Sequence, residues 1–417
     1  MRTGLTKAGE YNIKTLQITA HNNFSMNITE VFRTVTVYED IYSNSITMSV
    51  DIVTTEDLIS TLPIIGQETI SIEANHPSDE RIPIKLDFIV YSITKHRKTG
   101  NEVTFTLNCV TPEQVRNYET RISKYFEGTS TDISQKIFNE LGSNKTLLKV
   151  GSDDKQKLIV PNMTPMRALN WLTEKAFKGA AADYLFFEAI DGYHLQPLSE
   201  LVTKEEQITF SARLPNAELD PDFEDKTIIE WTIVNNFDVI DNMMRGMYNS
   251  TALKVDILNR KSEKIEYSIY DKYMETNKLD KYPLFDISGQ GRKYMPDPLY
   301  LLPENSEITY NHDENFLQRK SQLQLLHNLK MQLTTFGDTQ VNVGKTIKLE
   351  IPDLIVPEDT TLNDRYSGKW LVTAVKHIFT HKTVYTNEIE CVRDSQGEIL
   401  PQANPDYSGS AFKSGPQ

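Results

Sequence analysis

Residues 85–117 read KLDFIVYSITKHRKTGNEVTFTLNCVTPEQVRN, and residues 367–395 read SGKWLVTAVKHIFTHKTVYTNEIECVRDS. Laid over each other at Cys109 and Cys391, an offset of 282 residues, the two need no gap. Ile89, Val90 and Ile93 fall on Leu371, Val372 and Val375; Thr104, Leu107 and Val110 fall on Thr386, Ile389 and Val392. In both copies apolar or β-branched residues recur at every second position, the period of a strand with one buried face. Lys98-Thr99-Gly100-Asn101 breaks the first pattern with a glycine suited to positive φ, and His381-Lys382-Thr383 breaks the second with weaker turn chemistry. Each copy is predicted to be a β-hairpin.

Upstream of each hairpin lies a second match, GQETISIE at 66–73 and GKTIKLE at 344–350, read as a turn feeding a strand with Gly66 and Gly344 at the bend. Further upstream, VFRTVTVYEDIYSNSITMSVDIV (31–53) and IIEWTIVNNFDVIDNMMRGMYNSTALKVDI (228–257) both read strand, polar bend, strand, with Val-Asp-Ile in the second strand. Three blocks in one order predict a duplicated β-domain, with Gly66, Cys109, Gly344 and Cys391 as its structural repeat positions.

A chain of 417 residues has room for two to four domains, and 39% hydrophobic with 24% charged residues is the balance of a globular protein. No run of 18 apolar residues offers a membrane span, and MRTGLTKAGEYNIKTLQ lacks the apolar stretch of a secretory signal, so no stable membrane association is expected. Two cysteines at matching strand ends suit buried small hydrophobes rather than a disulfide framework. A net charge of −14 argues against a protein that grips nucleic acid by its phosphates, though not against one that nucleic acid slides past.

The fold class expected is mainly β with an α+β insert: two duplicated tube-like β-barrel domains plus a small helix and hairpin domain. The first barrel is assigned residues 1–118, the insert 119–224, and the second barrel 225–257 with 313–396. Within the insert, Ser130-Thr131-Asp132 opens a helix carrying Ile133, Ile137 and Leu141 and stopped by Gly142. Thr164-Pro165 opens a second with Leu169, Leu172 and Ala176 on one face, and DYLFFEAIDGYHLQPL is a hairpin turning at Asp191-Gly192. Residues 258–312 read as an insertion with little regular structure, 313–330 as a helix, and 397–417 as a flexible tail.

Signatures of catalysis with real specificity are missing: the sequence has no H-E-x-x-H, G-x-S-x-G, Walker loop or C-x-x-C. Gly289-Gln290-Gly291 reads as a turn. His377 and His381 have a ligand-like spacing but fall on a strand and its turn instead of one helix face. Asp220, Asp222 and Asp225 lack the glycine and glutamate of a calcium loop and read, like Asp153-Asp154, as solvated acidic turns. No catalytic residue, cofactor or metal is expected.

The order of the blocks resembles that of the central baseplate hub of contractile-tailed bacteriophages and, more distantly, the hub part of type VI secretion spikes. The likeness rests on TVTVYEDIYSN, VYSITKHRKTGNEVTFTLNCVTPE, YLFFEAIDGYHL, the leucine helix before GKTIKLE, and GKWLVTAVKHIFTHKTVYTNEIECV. It covers most of 30–200 and 313–395, and the order of the blocks is more specific than any one of them. The resemblance implies a non-enzymatic virion protein of the tail baseplate, made in the host bacterial cytoplasm. It also implies a homotrimer whose two barrels per chain form a pseudo-six-fold ring, adapting a six-fold tail tube to a three-fold spike around a channel for DNA in transit. The implied partners are the chain itself, tail tube and spike proteins, with tape-measure and baseplate wedge proteins as further contacts. A spike-base hub of a secretion system and a tail-borne cell-wall hydrolase are the competing readings.

Overall fold

The computed structural model describes residues 7–20, 23–55, 58–62, 64–77, 82–212, 225–256, 259–285, 298–303, 312–352 and 362–397. The first seven strands are β1 (Asn12–Thr19), β2 (Ser25–Asn27), β3 (Phe32–Asp40), β4 (Thr47–Thr54), β5 (Thr69–Asn75), β6 (Ile84–Thr99) and β7 (Glu102–Val110). They form one curled sheet in the order β2-β1-β5-β6-β7-β4-β3. Period-two burial gives it one apolar face: Leu16 and Ile18 of β1 share a core with Val35 and Val37 of β3, so side chains bridge the two ends.

The middle of the chain carries the expected insert. Helix α3 (Ser130–Leu141), following α1 (Leu58–Thr61) and α2 (Pro112–Glu119), is capped by Thr129, whose side chain accepts from the Asp132 N–H, and ends at Gly142 with φ 66°. It buries Ile133, Ile137 and Leu141 against α4 (Pro165–Thr173). Helix α4 stops before Ala176, which is nonetheless buried. Strands β8 (Tyr125–Gly128) and β10 (Gln156–Ile159) pair with each other; β11 (Tyr184–Ala189) and β12 (Gly192–Pro197) form the hairpin, flanked by β9 (Leu147–Lys149).

The second barrel is closed. Its strands are β13 (Glu206–Ala212), β14 (Thr227–Asn235), β19 (Leu329–Phe336), β20 (Thr346–Glu350), β21 (Gly368–Thr380) and β22 (Tyr385–Arg393), in the ring β13-β20-β21-β22-β19-β14. Strand β13 lies in the segment read as insert. A parallel pairing of two distant strands leaves no turn signature between them, so the sequence pattern could not assign it. The remaining strands, β15 (Asn249–Asp256), β16 (Lys261–Ser268), β17 (Tyr282–Pro283), β18 (Leu299–Pro303) and β23 (Ser395–Gln396), lie outside the ring. The order β16-β15-β18 makes a separate sheet, so ALKVD is not a barrel strand and 258–312 has more regular structure than expected. An aromatic cluster of Tyr248, Tyr267, Tyr273 and Phe285 supplies its core, with Leu317 and Leu325 from α8 (His312–Leu326), which follows α5 (Leu198–Leu201), α6 (Val239–Met244) and α7 (Ile269–Lys272). Helix α8 ends at Leu326, and Leu329 already belongs to a strand.

The two β-units share a strand order: β1-β5-β6-β7-β4-β3 in the first, β13-β20-β21-β22-β19-β14 in the second. Five of the six matched strands also agree in direction; β13 runs parallel to β20, whereas β1 runs antiparallel to β5. Registers agree as well. Cys109 pairs with Val90 and Met48, and Cys391 with Val372 and Met331. A β-bulge follows Val90 and another follows Val372, at the same 282-residue offset.

Candidate functional site

The units meet through β3 and β21, which pair from Thr34 opposite Thr380 to Asp40 opposite Ala374. At the centre of this seam Glu39 Oε1 lies 3.0 Å from His377 Nε2, and His377 Nδ1 lies 2.7 Å from the Tyr385 hydroxyl, with the His377 and Glu39 side chains fully buried. The Ile190 N–H donates to Glu39 Oε2 at 3.1 Å, so the insert reaches the same carboxylate. Burial of such a charge requires these partners. The pair separates the two histidines whose spacing suggested ligands: His377 is bound into the seam, and His381 packs edge-on against Phe32, ring centroids 4.8 Å apart. No cluster with the makings of a metal site occurs among the described residues.

Three further buried carboxylates fasten one element to another. Glu188 of β11 accepts from the Ile46 N–H and the Thr111 hydroxyl, each at 2.8 Å, and pairs with Lys145. Burial pushes its carboxyl up, while the Lys145 ammonium draws it down. Asp225 is buried rather than solvated: it accepts from the Gly9 N–H and lies 2.9 Å from His76 Nε2. Asp154 is likewise buried and accepts from the Ser130 N–H and hydroxyl. Period-two or turn signals cannot reveal such pairs, because their partners lie up to 338 residues apart. Asp220, Asp222, Gly289, Gln290, Gly291 and residues 398–417 lie outside the described residues.

The repeat positions fall as follows. Gly66 has φ +93° and Gly344 φ +75°, each just before its Thr-Ile strand. Cys109 and Cys391 are fully buried, and burial pushes both thiols up. The outer face of β14, β19, β22, β21 and β3 forms a concave groove of about 480 Å³ lined by Asp40, Glu230, Gln332, Lys376, Glu388 and Glu390 among others. The lysine in its lining is matched: Lys376 pairs with Glu388 at 2.6 Å, and Glu390 of the lining is met by Lys330 at 2.9 Å. Partial burial, with Glu390 nearby, pushes the Asp40 carboxyl up.

The described residues thus form a closed barrel, a matching sheet that stays open among them, a β-strand seam between the two and an acidic concave face. No family model and no curated protein matches the sequence. Among solved structures, the chain has the fold of phage tail proteins. It is similar to a tail protein from Neisseria meningitidis MC58, with 11% identity, TM-score 0.55, and 92% of this chain and 97% of that one covered. It is also similar to the 43 kDa tail protein of prophage MuSo2 from Shewanella oneidensis, with 10% identity, TM-score 0.56, and 91% and 98% covered. No helix among the described residues is long and apolar enough to cross a membrane.

Proposed function

We propose that the chain is a structural hub of a phage tail baseplate, built by duplication of a β-domain and assembled as a homotrimer with a ring of six β-units. The observation that carries the reading is the repeated strand order with its conserved register and bulge. Cyclic symmetry makes identical copies repeat their surfaces, so two units per chain let three chains offer six similar surfaces on one side and three on the other. That suits a junction between a six-fold tube and a three-fold spike. We divide the chain so that the first unit ends near residue 118 and the second takes β13 as well as 225–235 and 329–396, a division that the strand pairing supports.

The concave outer face would line the passage. Its polar lining is mainly acids, threonines, Gln332 and one lysine, Lys376, already paired to Glu388, a surface that repels phosphate rather than holding it. The fold of the two tail proteins supports a virion role. Reconstruction of the tail tip carrying this chain tests the reading. Three copies on the tube axis, with β-units at near-equal angles, are expected; a single copy, or a position off the axis, would exclude it.

A further inference from the structure

Among the described residues the ring closes in one unit and not in the other, and β21 shows the pairing that the open unit lacks. On one side it pairs with β22; on the other it pairs first with β20, through Leu371, and then with β3, from Ala374 to Thr380. Its equivalent β6 pairs with β7 on one side, but on the other only with β5, through Ile89. Among the described residues no strand covers Ser92–Thr99 there. The equivalent of β3 is β14, which meets β13 only at Thr227 and Ile228, leaving its edge beyond Ile228 uncovered among the described residues. Each unit thus contributes one half of the β3–β21 seam, and the other two halves are unused.

We propose that β6 of one molecule pairs antiparallel with β14 of a second copy of this chain, repeating between molecules the seam that β21 and β3 make within one. The inference rests on the ring reading above and gives it an interface. The internal seam sets the register. In it Ile378 faces Thr36. Arg97 holds the place of Ile378, because they face the equivalent residues Thr104 and Thr386. Trp231 and Ile233, across from Leu333 and Met331, hold the places of Val35 and Val37, across from Val50 and Met48. Arg97 therefore comes opposite Thr232, with Glu230 diagonal to it on the same face.

The side chains suit that pairing. Lys95, His96, Arg97 and Lys98 are all exposed on β6, and Glu230 is exposed on β14. Large apolar side chains stand in water on the two edges, Tyr91 on β6 and Ile229 and Val234 on β14, with Phe237 just past the end of β14, all at least 50% exposed. The corresponding end of the internal seam buries Thr373 and Ile41, with the Ile41 N–H donating to the Thr373 carbonyl at 2.8 Å. The contact joins two different patches, so it propagates head to tail and closes into a ring when the rotation allows.

Disulfide trapping tests the register. The full chain carrying Arg97→Cys and Thr232→Cys is oxidised at a concentration where sedimentation shows an oligomer; Cys109 and Cys391 are buried and do not compete. Thr99→Cys with Glu230→Cys, one step along the same register, is the second pair. Thr36→Cys with Ile378→Cys, the equivalent pair of the internal seam, is the control. Both test pairs are expected to give covalent dimers and trimers on denaturing gels, the control a link within one chain, and the single variants none. An oligomer of trimer mass that neither test pair links overturns the β6–β14 contact and leaves the ring reading standing. Absence of any oligomer across the concentrations reached, and of a trimer in tail tips, overturns both.

Discussion

Alanine at Gly344 should cost far more than alanine at Gly66, although the sequence presents the two as equivalents. Both carry positive φ, +75° and +93°, so either substitution places an L side chain in left-handed backbone at about 1–2 kcal/mol. Surroundings then separate them. A Cβ at Gly66 would meet only the Val90 carbonyl oxygen at 3.8 Å, an ordinary contact. At Gly344 it would lie 2.8 Å from Phe187 Cζ and 3.1 Å from Cε2. Phe187 is fully buried and stacked on His194 with centroids 4.8 Å apart, so it has little room to yield. Overpacking adds roughly 1–3 kcal/mol, for a total of about 2–5 kcal/mol at Gly344 against about 1–2 kcal/mol at Gly66. Urea unfolding followed by circular dichroism reads the difference as a midpoint shift at constant slope. Phe187→Leu in the Gly344→Ala background removes the clashing ring edge and should recover about 1 kcal/mol or more relative to additivity. Equal midpoints for the two alanine variants, or strict additivity with Phe187→Leu, would refute the reasoning.

Two further outcomes follow from buried groups. Lys145→Met strands the Glu188 carboxylate and should destabilise by about 3–5 kcal/mol at neutral pH. Because burial already raises that carboxyl, its proton is held more tightly in the folded state, so the loss should shrink as pH falls toward the ordinary carboxylate range; a pH-independent loss would show that Glu188 is not the cause. Cys109 and Cys391, buried and with their thiols pushed up, should react with an aromatic disulfide reagent only as the protein unfolds, and rapid labelling of the native protein would contradict their placement.

How much of this was legible in the sequence depends on the range of the interaction. The Cys109 and Cys391 hairpins were readable because each is a local object: two period-two runs and a turn, with its register set by nearby residues. Even the matching bulges lie within a gapless alignment. The third block misled because ALKVD alternates as well as a barrel strand does. Alternation says that one face is buried but not against which sheet, and the true counterpart of β4 is β19, beyond helix α8. Parallel β13 was missed for want of a turn, and the Tyr-rich 261–285 segment because its core is aromatic rings packed mainly edge to face on Phe285 rather than periodic aliphatics. Buried Asp154 and Asp225 read as solvated acids, and nothing marked Glu39; only the fold brings Ser130, His76 and His377 to them.

The two seams, one within the chain and one proposed between chains, differ in a way that fits when each must form. The internal seam buries the Glu39–His377 pair with the Tyr385 hydroxyl beside it. A folding chain can bury such a pair because both partners arrive together on every molecule, whereas a half-seam carrying buried Glu alone would leave a charge desolvated without its partner. At the corresponding place on β6 the register instead shifts between Thr94 and Arg97, Lys95 takes φ +53°, and the side chains are exposed cations. Lysines and a bulge on an open edge keep it solvated and hinder indiscriminate strand pairing before assembly. Opposite it, Glu230 and Thr232 offer one acid and no buried charge. Divergence after duplication would thus have given one seam a permanent lock and the other an edge that stays soluble alone and pairs only where another copy supplies the matching strand.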